Sequence, residues 1–402
     1  MAKELPKGNA VIGQSGGPTH VINQSLVGCV EELRTNDAVE KILGAHHAVR
    51  GIINEDFIDL TDIPQQPLDI IAGTPSSALG SSRDQPDEAY CQKIFQVFEQ
   101  HNVRYFFYAG GNDSSDTCRI VNEQAKAAGY ELHAFHIPKT IDNDLVLNDH
   151  TPGFGSAARF VACAFIGDNL DNKALPGVKI NVVMGRHAGW LTAASRLARH
   201  DPNEGPHLIY VPEVAFDIDR FVADVDRVYG QYGRCLLAIS EGIHDADGEP
   251  IATRLAESVE RDAHGNVQLS GSGALGDHLS DLLKERLKEN HGKVRVRADT
   301  FGYLQRSCAA MASEVDQAEA REAGRTAARF ALSGDVDGSI AIQRISDNPY
   351  RVEYKRIELT DVAAKTRTLP EKYIVNGNDI DQSFVDYLRP LVGQMPKVAT
   401  LF

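Results

Sequence analysis

In the stretch HIPKTIDNDL a cation, a hydroxyl and two carboxylates, Lys139, Thr140, Asp142 and Asp144, follow directly on an apolar run. That set suits phosphoryl chemistry. The ammonium offers charge to a phosphate, a carboxylate can take the proton of an attacking hydroxyl, and a carboxylate can hold Mg2+. A solvated acidic turn is the other reading of the same residues. Two glycine pairs stand in comparable places, Gly16 and Gly17 in IGQSGGPTH and Gly110 and Gly111 in YAGGNDSSD. Each follows an apolar run and opens a helical pattern, so bare backbone N–H groups and the positive end of a helix would meet an anion. Neither turn has the Walker A or G-x-G-x-x-G spacing, so the phosphate-binding expectation rests on the pair together. The second turn also holds Asp113, a carboxylate where a phosphate cradle ordinarily has none.

The elements that must position these residues repeat along the chain. NAVIG precedes a helical pattern over 21–33, RYFFYAGG one over 115–128, KINVVMG one over 191–198, HLIYVPE one over 218–232 and RCLLAISEG one over 279–288. ELHAFHIP and KVRVRADTFG complete the series of strand-like runs. Apolar runs alternating with amphipathic helices predict an α/β fold, with parallel sheets covered on both faces. We expect two Rossmann-like, doubly wound domains with mainly parallel sheets. Ligands would settle at the carboxyl ends of the strands, in a cleft between the domains.

Composition narrows the function. The chain has 402 residues, long enough for two cores, with 42% hydrophobic and 24% charged residues and a formal net charge of -15. Such a surface opposes nonspecific binding to nucleic acid or anionic membranes, and an anionic substrate must find a local basic pocket. The six cysteines, Cys29, Cys91, Cys118, Cys163, Cys235 and Cys308, form no C-x-x-C pair and read as reduced thiols. The first residues lack an apolar signal core and no window nears 18 uninterrupted apolar residues, so the expected location is the cytoplasm.

SGGP, GGNDS, PKTIDND, MGRHAGW, ISEG and GYLQR, in this order between about Asn9 and about Phe330, give the chain a resemblance to the phosphofructokinase family, specifically its diphosphate-dependent branch. The resemblance implies an enzyme that passes a phosphoryl group reversibly from diphosphate to the 1-hydroxyl of fructose 6-phosphate, in glycolysis and gluconeogenesis. It also implies a donor domain of residues 1–153 plus about 306–350, and a sugar-phosphate domain of 154–305. Residues 351–402 would be an extension of packing or oligomer contacts, and the protein a homodimer or homotetramer.

Roles carry over position by position. Asp142 matches the base that takes the hydroxyl proton. Thr140 would hold the migrating group, with Ile141 beside it against the substrate. Asp144 would orient Mg2+ or its water. Met184, Gly185 and Arg186 match contacts to the sugar and its phosphate, Glu241 a ligand of the sugar hydroxyls, and Tyr303 and Arg306 binders of the 6-phosphate, where a guanidinium suits a dianion. Arg297 sits where the family places an arginine reaching in from a neighbouring subunit. Arg83, Gly17 and Gly111 would meet the diphosphate. The chain departs from the family at Asn112, where a metal-binding aspartate is usual; an amide oxygen can still ligate Mg2+, without a formal charge.

Asp113 and Lys139 carry the donor specificity. ATP-using relatives have small residues at both positions, and about 4 Å from an α-phosphate a carboxylate would repel it by roughly 4 kcal/mol at an effective dielectric near 20. That is a loss of about a thousandfold. Diphosphate has no such phosphate, and Lys139 offers it a cation. The alternatives are an ATP-dependent kinase of the same fold, a preference for sedoheptulose 7-phosphate, and a noncatalytic subunit that binds sugar phosphate.

Overall fold

The structure, a computed structural model, describes residues 5–255 and 273–401. Its strands, in chain order, are β1 (Gly8–Gln14), β2 (Val39–Ala45), β3 (Phe57–Asp59), β4 (Val103–Gly110), β5 (His133–Pro138), β6 (Val178–Val183), β7 (Leu208–Tyr210), β8 (Cys235–Ser240), β9 (Val296–Thr300), β10 (Asp337–Asp347) and β11 (Tyr350–Ile357), followed by the short antiparallel pair β12 (Ile374–Val375) and β13 (Asp379–Ile380). Internal contacts divide the chain into two compact units, Met1–Ser156 with Arg306–Arg367, and Ala157–Gln305 with Thr368–Phe402.

The first unit is built on a seven-stranded sheet in the order β11-β10-β5-β4-β1-β2-β3. The five strands from β10 to β2 pair in parallel, and β3 and β11 close the edges antiparallel. The run RYFFY in β4 explains how both faces are covered. Tyr105 and Phe107 pack with Ile22, Leu26 and Val30 of the helix Ile22–Leu33 on one side. Phe106 and Tyr108 pack with Ile94, Phe95 and Phe98 of the helix Glu88–Gln100 on the other. Successive side chains of a strand point to opposite faces, so a sheet buried on both sides needs an unbroken apolar run. Each fully buried aromatic stabilises by roughly 1.5–3 kcal/mol.

Between β1 and β4 the strand order reverses: the chain leaves β1 towards β2 and leaves β4 towards β5. In doubly wound sheets such a switch point is where the loops at the carboxyl ends part and leave a crevice. The two glycine pairs are those loops. Both lead into helices without a side-chain cap, Ile22–Leu33 and Asn112–Ala127, so the first N–H groups of each helix lack a side-chain acceptor.

The second unit has a four-stranded sheet in the order β7-β8-β6-β9, all parallel. Its core joins Val178, Ile180 and Val182 of β6 to Phe221 and Val225 of the helix Ile218–Tyr232 and to Leu279 and Leu283 of the helix Ala274–Arg286.

Residues 351–402, expected as one extension, divide between the units. β11 pairs antiparallel with β10 at the edge of the first sheet. The helix Gln382–Val392 belongs to the second unit, where Phe384 and Tyr387 lie against Trp190 at ring-centroid distances of 6.2 and 5.7 Å. All six cysteines are free. Among the described residues no helix is long and apolar enough to cross a membrane.

Candidate active site

In the first unit, the loops after β1, β4 and β5 are tied to one another. Lys139, at the end of β5, is only 3% exposed. Its N–H donates to the Gly110 carbonyl at 3.0 Å, and its ammonium donates to the Gly17 carbonyl at 2.9 Å. Burial brings its pKa down to about 7. The Arg306 guanidinium lowers it further in the same sense, while Asp142 and Asp144 oppose the shift. Arg306, assigned from the sequence to the 6-phosphate, stands so close to Gly17 that a methyl group there would collide with its guanidinium. Unless Arg306 shifts, only a residue without a side chain at position 17 leaves the guanidinium where it stands. The neighbouring turn is held by Gly16 N–H on the Ser82 carbonyl at 2.9 Å, which anchors the segment carrying Arg83.

His136 was not singled out in the sequence, yet it braces the second glycine turn. It is fully buried on β5, with Nε2 2.9 Å from the Gly110 carbonyl and Nδ1 2.8 Å from Ser339 Oγ. Burial pushes its pKa down to about 4, so it is neutral, donating from Nε2 and accepting at Nδ1. No local sequence signal marks it, because Ser339 arrives from β10.

The catalytic loop follows. Thr140 Oγ1 accepts the Asp142 N–H at 3.0 Å, and the Thr140 hydroxyl donates to the Asp144 carboxylate. Burial raises the pKa of Asp144, against the hydrogen bonds it accepts. Asp142 is half-buried and Ile141 is buried beside it.

Asn112 Oδ1 is a buried acceptor without a hydrogen-bond partner. Among the described residues no group of three His, Cys, Asp or Glu side chains is arranged to hold a metal ion. An amide oxygen and one carboxylate fit Mg2+ in its usual manner, in which one or two protein oxygens assist substrate phosphates that supply most of the ligation.

Asp113 is exposed in the first turn of its helix and accepts a 2.9 Å hydrogen bond from Gln85 Nε2. Water screening and the helix dipole both weaken its field. The sequence-based repulsion of roughly 4 kcal/mol therefore falls towards about 1 kcal/mol, the value for bulk water at the same separation.

The second unit assembles its own set at the carboxyl ends of β6 and β8, adjacent strands. Gly185 has φ 147° and its carbonyl accepts the Ser240 hydroxyl at 2.5 Å; a Cβ there would lie 2.6 Å from the Ala188 carbonyl oxygen. Met184 is buried, and its N–H donates to Gln305 Oε1 at 3.1 Å. Gly242 packs against the Arg186 backbone, and Glu241, which donates its N–H to the Val183 carbonyl at 2.9 Å, is buried. The Met184–Arg186 and Ser240–Gly242 loops are thus one structure. Tyr303 lies beyond β9, 44% exposed.

Arg297 stands apart from that set. It is exposed on the edge strand β9 and paired with Lys179 on β6. At about 3.3 Å per residue, Lys179 is roughly 16 Å along the strand from Met184.

Gln305 and Glu213 are positioning groups that the sequence did not mark. Glu213 Oε1 accepts the Gly189 N–H at 2.8 Å and the Leu369 N–H at 2.7 Å, which fixes the turn after Arg186. Burial raises the Glu213 pKa.

Glycine turns, a buried lysine and a Thr–Asp loop at the switch point of a doubly wound sheet are groups suited to phosphoryl transfer. The Phosphofructokinase family profile matches residues 9–331, and the chain belongs to that family. It is 59% identical to a pyrophosphate–fructose 6-phosphate 1-phosphotransferase of Rhodospirillum rubrum, over 96% of this chain and 95% of the relative. It is 36% identical to one of Halomonas elongata, over 98% and 96%. The crystal structure of a pyrophosphate-dependent phosphofructokinase from Marinobacter aquaeolei superposes with a TM-score of 0.84 at 32% identity, covering 97% of this chain and 92% of that one.

Proposed function

We propose that this chain transfers a phosphoryl group reversibly from diphosphate to the 1-hydroxyl of fructose 6-phosphate, giving fructose 1,6-bisphosphate and phosphate, as a cytoplasmic homodimer or homotetramer. The observation that carries the donor assignment is the buried Lys139 ammonium on the Gly17 carbonyl. Such a site offers a fixed cation to a compact anion. The similarity to relatives named for this reaction supports the same reading.

Diphosphate is held by the Gly17 and Gly111 backbone, Arg83 and Lys139. Met184, Gly185, Arg186, Glu241 and Tyr303 hold the sugar phosphate, and Arg306 adds charge. Arg297 would serve a neighbouring subunit. As the sugar oxygen bonds to the incoming phosphorus, the bond to the leaving phosphate breaks and Asp142 takes the hydroxyl proton. Thr140 holds the migrating group, while Lys139 and Arg186 offset its charge, since such transfers depend mainly on positioning and electrostatics. Asn112 and Asp144 would hold Mg2+, which when bound neutralises the phosphate oxygens.

The test is product formation in both directions: fructose 1,6-bisphosphate from fructose 6-phosphate, diphosphate and Mg2+, and diphosphate from fructose 1,6-bisphosphate and phosphate. Asp142→Ala is expected to lower kcat about 10²–10⁴-fold with little change in sugar-phosphate KM. Wild-type kcat in that variant would remove Asp142 from its role.

A further inference from the structure

The chain after β11 has no part in the chemistry described so far, yet it grips the loop that carries Asp142. We propose that Arg367 is a positioning residue for phosphoryl transfer, whose guanidinium fixes the 143–149 backbone and so sets where the Asp142 and Asp144 carboxyls stand. This rests on the proposed function only for the roles of those two carboxylates.

Arg367 Nε donates to the Asn143 carbonyl at 2.8 Å. Its Nη2 donates to Asn143 Oδ1 at 2.7 Å and to the Asp149 carbonyl at 2.8 Å, and its Nη1 to the Asn148 carbonyl. The Arg367 N–H donates to the Asp144 carbonyl at 2.8 Å, and Thr366 bridges Leu145 in antiparallel fashion. Three carbonyls and an amide oxygen converging on one planar fork suit a guanidinium, and a lysine ammonium lacks that geometry.

The loop needs such a grip. Asn143 and Leu147 have φ of 55° and 61°, and Asn143 is fully buried. Asparagine tolerates that region, but a leucine persists there only where its surroundings over-determine it. Asn143 lies between Asp142 and Asp144 in the chain, so the bonds to its carbonyl and amide oxygens, together with the bond to the Asp144 carbonyl, bear on both carboxylates. Simple neutralisation of Asp149 does not account for Arg367. The Asp149 carboxylate already has His150 Nδ1 at 2.8 Å and Arg344 Nε at 3.1 Å, and Arg367 bonds its carbonyl instead.

The experiment compares Arg367→Lys and Arg367→Ala with the wild-type full chain, using whichever donor the wild type turns over, so that a wrong donor assignment leaves this test intact. The exposed neighbour Lys365→Ala is the control. In folded Arg367 variants kcat is expected to fall about 100-fold, the usual consequence of misplacing a reacting group by about 1 Å. KM for the sugar phosphate and for the donor should each stay within about threefold. Added guanidinium should restore part of the kcat of Arg367→Ala, and Lys365→Ala should match wild type. Should Arg367→Ala fail to fold, Arg367→Lys, which keeps the charge and the stem, decides by the same split. Wild-type kcat in either folded variant would overturn the proposal. So would joint loss of kcat, both KM values and thermal stability without guanidinium rescue, or unfolding of both variants, since each would make Arg367 a tether only.

Discussion

The Lys139 ammonium donates to the Gly17 carbonyl at 2.9 Å from a site where burial, and then the Arg306 guanidinium, bring its pKa down to about 7. Only the charged form attracts diphosphate, so above pH 7 binding must take up a proton. The diphosphate KM should therefore rise with pH above about 7, by up to tenfold per unit, and Lys139→Met should flatten that rise. A flat wild-type profile between pH 6 and 9 would contradict it. The same shift has a stability consequence of definite sign. The unfolded chain keeps the ordinary lysine value of 10.5, so between about 7 and that value it binds more protons than the folded one. This group therefore makes stability increase with pH through that window, and below it the cost of the buried charge is fully present.

Asp113 is exposed, so its substitution alone should matter little. Asp113→Gly is expected to improve ATP binding by no more than about fivefold, the equivalent of about 1 kcal/mol. Measurable ATP turnover should need Lys139→Gly as well. A thousandfold gain from Asp113→Gly alone would restore the stronger electrostatic reading.

Glu213 should separate the two substrates. Its single oxygen Oε1 accepts both the Gly189 and Leu369 N–H groups, and a glutamine can keep both bonds. Glu213→Ala is expected to raise the KM for fructose 6-phosphate about tenfold, the worth of one hydrogen bond to a charged group, without moving the diphosphate KM. Glu213→Gln should stay near wild type. An equal rise in both KM values, or no difference between the two variants, would remove Glu213 from that role.

Asn112 supplies an unpartnered buried oxygen. Chelation of Mg2+ should abolish turnover. Asn112→Ala should raise the Mg2+ concentration for half-maximal rate about tenfold, and Asn112→Asp should lower it by adding a charge. An unchanged Mg2+ requirement in both variants would show that the diphosphate and Asp144 suffice.

The strands that position the site were legible because they are buried on both faces, so RYFFY in β4 and CLLAI in β8 declare themselves as apolar runs. The loop residues were legible because KTIDND, MGR and the glycine pairs keep their chemistry within a few positions. What escaped was joined by the fold. His136 needs Ser339, Met184 needs Gln305, and the 143–149 loop needs Arg367, 224 residues from Asn143. A single arginine in TRTLP carries no local signal of such a partner. The extension was read only as packing or oligomer contacts for the same reason: β11 alternates polar and apolar residues, and only its pairing with β10 shows it as part of a sheet. Exposure was equally invisible, and the exposed Asp113 side chain is what lowers the repulsion expected from it.

The most direct measurement is the initial rate of the purified wild-type protein with fructose 6-phosphate and Mg2+, comparing kcat/KM for diphosphate and for ATP. A value for diphosphate larger by at least about a hundredfold, about 2.7 kcal/mol of transition-state discrimination, is the predicted result. Equal or faster turnover with ATP would contradict the account.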